Sequence, residues 1–120
     1  MSKPLRPLVW IGSSLKDLRA FPEEVKDEMG YALYEAQCGL TPLCAKPLHG
    51  FGGAQVLEIV ASYRSDAYRA VYTVKFEGVI YVLHAFQKKS KKGMKTPQLD
   101  ADLILRRLKQ AESLHRTGKK

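Results

Sequence analysis

Residues able to do acid–base or phosphate chemistry gather late in the chain, in the stretch VLHAFQKKSKKGMKTPQ (82–98). An apolar run carries His84 and Phe86 and then breaks into Lys88, Lys89, Lys91, Lys92 and Lys95. Clustered lysines repel one another, and a polyanion such as a phosphate backbone relieves that repulsion. A cationic neighbour also lowers the pKa of a lysine toward the range where it can give or take a proton, and Lys88 and Lys89 have one by construction. Histidine is the side chain whose ordinary range lies nearest neutrality, which makes His84 a further candidate for moving a proton. Upstream stand the carboxylate of Glu58 and the guanidiniums of Arg64 and Arg69. A guanidinium grips two phosphate oxygens at once and keeps its charge. Plainer readings stand beside these. The lysines can be a solvated loop that keeps the protein soluble. His84, between Leu83 and Ala85, can be a core residue with a satisfied ring, and Glu58 can be the partner that holds an arginine in place.

The chain has 120 residues, with 20 Lys and Arg against 12 Asp and Glu and a net charge of +8. A single domain over 1–120 is expected, with a basic tail from about 114 to 120. The apolar share of 45% is ordinary for a globular protein, so a core is available. The basic excess puts nucleic acid first among partners and an acidic protein second. Cys38 and Cys44, in CGLTPLC, read as two inert thiols of a cytoplasmic protein without a signal peptide. Nothing completes a four-ligand zinc set around them, and no carboxylate cluster offers to hold magnesium, so no metal or other cofactor is expected. The longest apolar run, VIYVLHAF, is too short to span a membrane.

The elements that must position these groups follow from periodicity and punctuation. LVWIG (8–12) reads as a strand. Ser13 or Ser14 caps a short helix with Leu15 and Leu18 inward. Pro22 opens a longer helix, with Glu23 and Glu24 at its positive end and Val25, Met29, Leu33 and Ala36 as its buried stripe. Gly39 ends it. Residues 40–54, including Lys46, read as a loop. Strands are expected at 56–63, 68–76 and 79–88, joined by turns at 64–67 and 77–78 into an antiparallel meander. A last helix runs from 97 or 98 to about 113, with Leu99, Leu103, Leu108 and Ala111 inward. The order is β-α-α-β-β-β-α, an α+β domain with a small antiparallel-rich sheet and helices packed on one face. Strict alternation puts Ala70, Tyr72, Val74 and Phe76 in the core, and Arg69, Val71, Thr73 and Lys75 outward or into a cleft. It groups Ile80, Val82, His84, Phe86 and Lys88 on one face. Arg64, Arg69 and the lysine run then converge at one basic end of the sheet.

With that order of elements, and with Glu58 in VLEI, Arg69 in YRAVY and above all VLHAFQKKSKKGMKTP, the chain resembles the RelE/ParE-superfamily toxins. The branch is the HigB-like one, also known as phage-derived host-inhibition proteins, and the resemblance covers roughly residues 7–112. It implies a RelE-like fold and the toxin of a type II toxin–antitoxin system. The implied activity is that of a metal-independent endoribonuclease, an mRNA interferase that cleaves messenger RNA on the ribosome. The implied inhibitor is a helix-turn-helix antitoxin, the toxin being a monomer when free and a heteromer with its antitoxin. Two departures stand out. Members of the branch often carry an arginine where this chain has Val60, with Arg64 four residues later, and no tyrosine follows Tyr81.

Metal-free RNA cleavage needs a base for the 2′-hydroxyl, a cation for the phosphate and an acid for the leaving 5′-oxygen. Arg69 leads for the cation, with Arg64 second. Lys88 and Lys89 lead His84 for proton transfer, and Glu58 is a base or the holder of an arginine. Lys46, Lys75, Lys91, Lys92 and Lys95 are placed on the RNA backbone. Tyr63, Tyr68 and Phe86 either stack on a base or sit in the core. Two rival readings are a ParE-like gyrase inhibitor, which needs no basic cluster at a strand end, and a non-catalytic nucleic-acid-binding domain.

Overall fold

Strands β4 (Asp66–Thr73) and β5 (Ile80–Lys88) are buried along most of their length on both faces, and the molecule is built around covering them twice. A computed structural model describes residues 4–51, 55–88 and 96–118. Lys89, Lys91, Lys92 and Lys95 lie outside the described residues. The remaining elements are β1 (Leu8–Trp10), α1 (Ser14–Arg19), α2 (Glu23–Gln37), β2 (Ala45–Pro47), β3 (Val56–Tyr63) and α3 (Gln98–Thr117). They form an α+β fold on one mixed sheet, of order β1-β5-β4-β3-β2, with β1 parallel to β5 and the other neighbours antiparallel.

One face of the sheet packs against α1 and α2. Leu18 from α1 and Val25, Met29, Ala32, Leu33 and Ala36 from α2 meet Ile59, Ala61, Ala70, Tyr72, Ile80 and Val82. The other face packs against α3, where Ile104, Leu108 and Ala111 meet Val56, Val71, Tyr81 and Leu83. Helices on one face only is therefore corrected: β4 and β5 present apolar side chains both ways, and each face needs a cover. The α3 stripe is also shifted from the expected one. Ile104, Leu108 and Ala111 are buried, Leu103 is half-buried, and Leu99 is 83% exposed in the first turn.

The stretch 40–54 is not all loop. Ala45–Pro47 adds a short edge strand to β3, with Lys46 opposite Glu58. Pro47 is tolerated because an edge strand has one unpaired side and can spare a donor. The β3–β4 turn is tighter than 64–67: Tyr63 pairs with Asp66, and only Arg64 and Ser65 make the turn. Both have positive φ, at 49° and 74°, the sign that a two-residue hairpin turn of type I′ requires.

The feature that most changes the face assignment is a bulge in β5. Val71 pairs with His84 but Tyr72 pairs with Val82, so Leu83 is the extra residue. Leu83 and His84 then both lie on the α3 side, and Phe86 follows with them. Strict alternation groups His84 and Phe86 with Ile80 and Val82, which lie on the opposite face.

Arg107 of α3 holds this bulge. Its Nη1 donates to the Leu83 carbonyl at 3.0 Å and its Nη2 to Ser13 Oγ at 3.2 Å. Ser13 Oγ in turn donates to Asp17 Oδ2 at 2.8 Å. Burial draws the guanidinium down from its ordinary pKa, and Asp17 partly restores it. Gly12, at φ +59°, lies flat against this group, and a Cβ there would come within 2.8 Å of Arg107 Cζ.

Gly12→Ala is expected to cost about 1–3 kcal/mol, from left-handed backbone strain and displacement of Arg107 from the bulge carbonyl. A urea midpoint equal to that of the parent would show that the guanidinium is not held there. A second expectation concerns alkaline stability. Tyr72, 1% exposed, has its phenol pushed up to about 12 by burial. The folded state keeps that proton more tightly than the unfolded chain, so stability is lost as pH rises from about 10 toward 12. Tyr72→Phe removes that part of the loss, on the order of 2–3 kcal/mol at the upper end. Superimposable alkaline unfolding curves for the two proteins would place the phenol in contact with solvent.

Candidate active site

On the α3 face, one row of paired residues crosses four strands: Lys46 on β2, Glu58 on β3, Val71 on β4 and His84 on β5. The next row toward the β3–β4 turn is Val60, Arg69 and Phe86. Arg69 is thus the diagonal neighbour of both Glu58 and His84, on the strand between them. Diagonal positions on one face lie within reach of long side chains. The Arg69 Nη1 donates to Glu58 Oε1 at 2.9 Å. Both partners are almost wholly covered, with Glu58 1% and Arg69 5% exposed.

His84 is 6% exposed and bonds through Nε2 to Asp100 Oδ1, in the first turn of α3, at 2.7 Å. A carboxylate partner only accepts, so Nε2 carries the proton. The imidazole stacks on Phe86 with ring centroids 4.7 Å apart and planes 19° from parallel. The bulge makes this arrangement: without the extra residue at Leu83, His84 would point to the α1–α2 side and could not meet Asp100.

Four buried polar atoms have no hydrogen-bond partner among the described residues: Glu58 Oε2, Arg69 Nε, His84 Nδ1 and Thr96 Oγ1. The first three belong to the two ion pairs. Thr96 and Glu58 line a single cleft of about 640 Å³, between Lys46, Leu48 and Phe51 on one side and Ala101 and Leu105 of α3 on the other. Folded proteins satisfy the great majority of buried polar atoms, so a group of exceptions on one face marks a place with another task. Charge-bearing groups sealed from water with spare hydrogen-bonding capacity are the elements of a proton-transfer or anion-binding centre. Among the described residues no three of His, Cys, Asp and Glu stand close enough to share a metal ion.

The residues named from sequence distribute as follows. Glu58, Arg69 and His84 come together. Lys46 joins their row and the cleft, exposed. Lys88 is half-buried opposite Ala67, two residues beyond Phe86 on the same strand. Arg64 does not join them. It lies at the hairpin tip, three pairs beyond the Val60–Arg69 pair, with its guanidinium 5.1 Å from the Tyr63 ring centroid. Lys75 follows the far end of β4, with its Nζ 5.5 Å from the Phe76 ring centroid, at the opposite end of the sheet from Lys88. Tyr68 is in the α1–α2 core against Phe21. Lys89, Lys91, Lys92 and Lys95 remain outside the described residues. The sequence reading missed Asp100 and Thr96. An acid in a first helical turn reads as a partner of the helix dipole, and only the bulge reveals its histidine.

Because the Glu58–Arg69 pair is buried, removing one partner leaves the other charge uncompensated. Glu58→Leu alone is expected to cost about 3–5 kcal/mol, and Glu58→Leu with Arg69→Met to recover most of it. Additive losses in chemical denaturation would mean that the two charges are not coupled.

The family model described as Phage derived protein Gp49-like (DUF891) matches residues 16–109, which take in every residue of this site. No curated protein matches the chain. The match spans well over half of the 120 residues. The chain belongs to the phage-derived Gp49-like family, in the RelE toxin-like group.

Proposed function

We propose that this protein is the toxin of a toxin–antitoxin pair, in the HigB-like branch, and that it is an endoribonuclease that cleaves messenger RNA on the ribosome. A helix-turn-helix antitoxin is its inhibitor. The observation that carries the reading is the placement of a carboxylate, a guanidinium and an imidazole on three adjacent strands of one sheet face. Glu58 and His84 are separated by two strand spacings, about 10 Å, with Arg69 on the strand between them. In-line attack of a 2′-hydroxyl on phosphorus calls for a base on one side, an acid on the other and a cation at the phosphate.

Each group has a role. Glu58 holds Arg69 through Oε1, and Oε2, without a partner among the described residues, takes the 2′-hydroxyl proton. Arg69 meets the phosphate through Nε–H, which has no partner among the described residues, and keeps its charge. Asp100 holds His84 through Nε2, which turns Nδ1 toward the site, and a proton on Nδ1 goes to the leaving 5′-oxygen. Lys88 and Lys46 lie on either side of this centre and grip adjoining phosphates, joined by the lysines that follow Lys88 in sequence. Substrate enters by the cleft beside Glu58.

The test is a map of messenger RNA 3′ ends after a brief pulse of expression, wild type beside His84→Gln and Arg69→Gln. Arg69→Gln keeps an N–H donor for the Glu58 carboxylate, which Arg69→Ala does not. New ends inside reading frames are expected in wild type, reduced roughly 10²-fold or more in each variant. Growth arrest with DNA damage signalling and no new ends would sink the nuclease and favour gyrase poisoning. RNA binding without cleavage or arrest would leave a binding domain.

A further inference from the structure

Eight large apolar side chains are prominently exposed among the described residues, and five of them belong to the last turns of α2, the loop after it and the segment bonded to it. Tyr31 is 64% and Tyr34 47% exposed, with ring centroids 6.4 Å apart. Leu40 and Leu43 follow the helix, both exposed. Leu5 joins them because the Arg6 N–H donates to the Gln37 carbonyl at 3.1 Å and Gln37 Nε2 donates to the Arg6 carbonyl at 2.7 Å. Single exposed apolar residues need no explanation, but a gathered set marks a surface that something covers. The core does not use it: Val25, Met29, Leu33 and Ala36 turn the other side of α2 to the sheet.

The charge beside these side chains says what covers them. At about 100° per residue, Glu24, Asp27 and Glu28 continue the stripe of Tyr31 and Tyr34 toward the start of α2, and Glu35 lies one turn beyond Tyr31. None of these four carboxylates has an ion-pair partner among the described residues, and Lys26, the one cation of the helix, pairs with Glu23 on a different side. Glu24 and Glu28 stand one turn apart, and like charges at that spacing repel. A chain with a net charge of +8 has cations in excess and places none on this stripe. We propose that this face docks a basic helical segment of another protein. Its apolar side chains seat on Tyr31, Tyr34, Leu40 and Leu43, and its lysines or arginines meet Glu24, Asp27 and Glu28. Tyrosine suits an apolar seat with a wet edge, since its ring is large and its hydroxyl keeps a partner in water. A nucleic acid or an anionic membrane meets these carboxylates with like charge, and a second copy of the chain brings the same acidic stripe to a symmetric contact. The surface lies across the sheet from Glu58, Arg69 and His84, so the inference is independent of the nuclease reading and the docked segment leaves that site uncovered.

The probe is a synthetic helical peptide with arginines along one half and leucines on the same face of the other half. It is titrated into the full chain and located by amide NMR shifts. At low salt the expected result is movement of Tyr31, Tyr34 and Leu43, even though the protein as a whole repels a cationic peptide. Affinity should fall roughly tenfold between about 0.05 and 0.3 M salt. Tyr31→Ala with Tyr34→Ala should weaken binding about tenfold or more. Glu24→Gln with Glu28→Gln should remove most of the salt dependence. All four positions are exposed, so the core is untouched by either pair of changes. No binding, shifts confined to the α3 side, or equal affinity for a peptide with glutamines in place of the leucines overturns the proposal. So does self-association of the free chain that moves the same amides, which assigns the face to a second copy.

Discussion

A strand that is apolar on both faces has to be covered twice, and this requirement organises the molecule. Ala70 and Tyr72 of β4 face α2, while Val71 faces α3. β5 does the same with Val82 and Leu83. Burying these faces is the main favourable term in folding. It also sets where chemistry can sit. Side chains of β3, β4 and β5 that fall under the first turns of α3, rather than under its apolar middle, are covered but not matched by apolar neighbours. Glu58, Arg69 and His84 occupy that strip, and Asp100 reaches down to it.

The buried pair of Glu58 and Arg69 is poor evidence of stability design. Two charges taken out of water recover only part of their hydration from one another, and well-packed apolar residues of similar volume often serve as well. Here the pair is also incomplete, because Oε2 and Nε find no partner among the described residues. A pair kept in that condition is more readily understood through what it does with a third group. The His84–Asp100 pair has the same character: one ring nitrogen is committed to a carboxylate and the other has no partner among the described residues.

Much of the architecture is legible from periodicity. The α2 stripe of Val25, Met29, Leu33 and Ala36 is buried as its spacing requires, and β3 has the expected bounds. Glu58 and Arg69 can be placed on one face from alternation and the hairpin alone. His84 cannot, because a bulge is a one-residue insertion in pairing that leaves no mark in composition, and it inverts every face assignment beyond it. Arg107 holds the bulge carbonyl but reads in sequence as an ordinary surface arginine of a basic helix. Strand β2 escapes because three residues ending in proline carry no period. Leu99 fits the spacing of an inward stripe, yet its place in the first turn precedes the residues that α3 buries.

Helix α2 carries Glu23, Glu24, Asp27, Glu28 and Glu35 against Lys26, a charge of −4 on a chain of +8, so the other residues carry +12. It lies across the sheet from Arg69 and His84. The protein is therefore an electric dipole as well as a cation. In the field of a polyanion it experiences a torque that turns the acidic α2 away. Arrival would then be oriented rather than random, and salt, by screening that field, would slow the encounter more than it weakens any one bond.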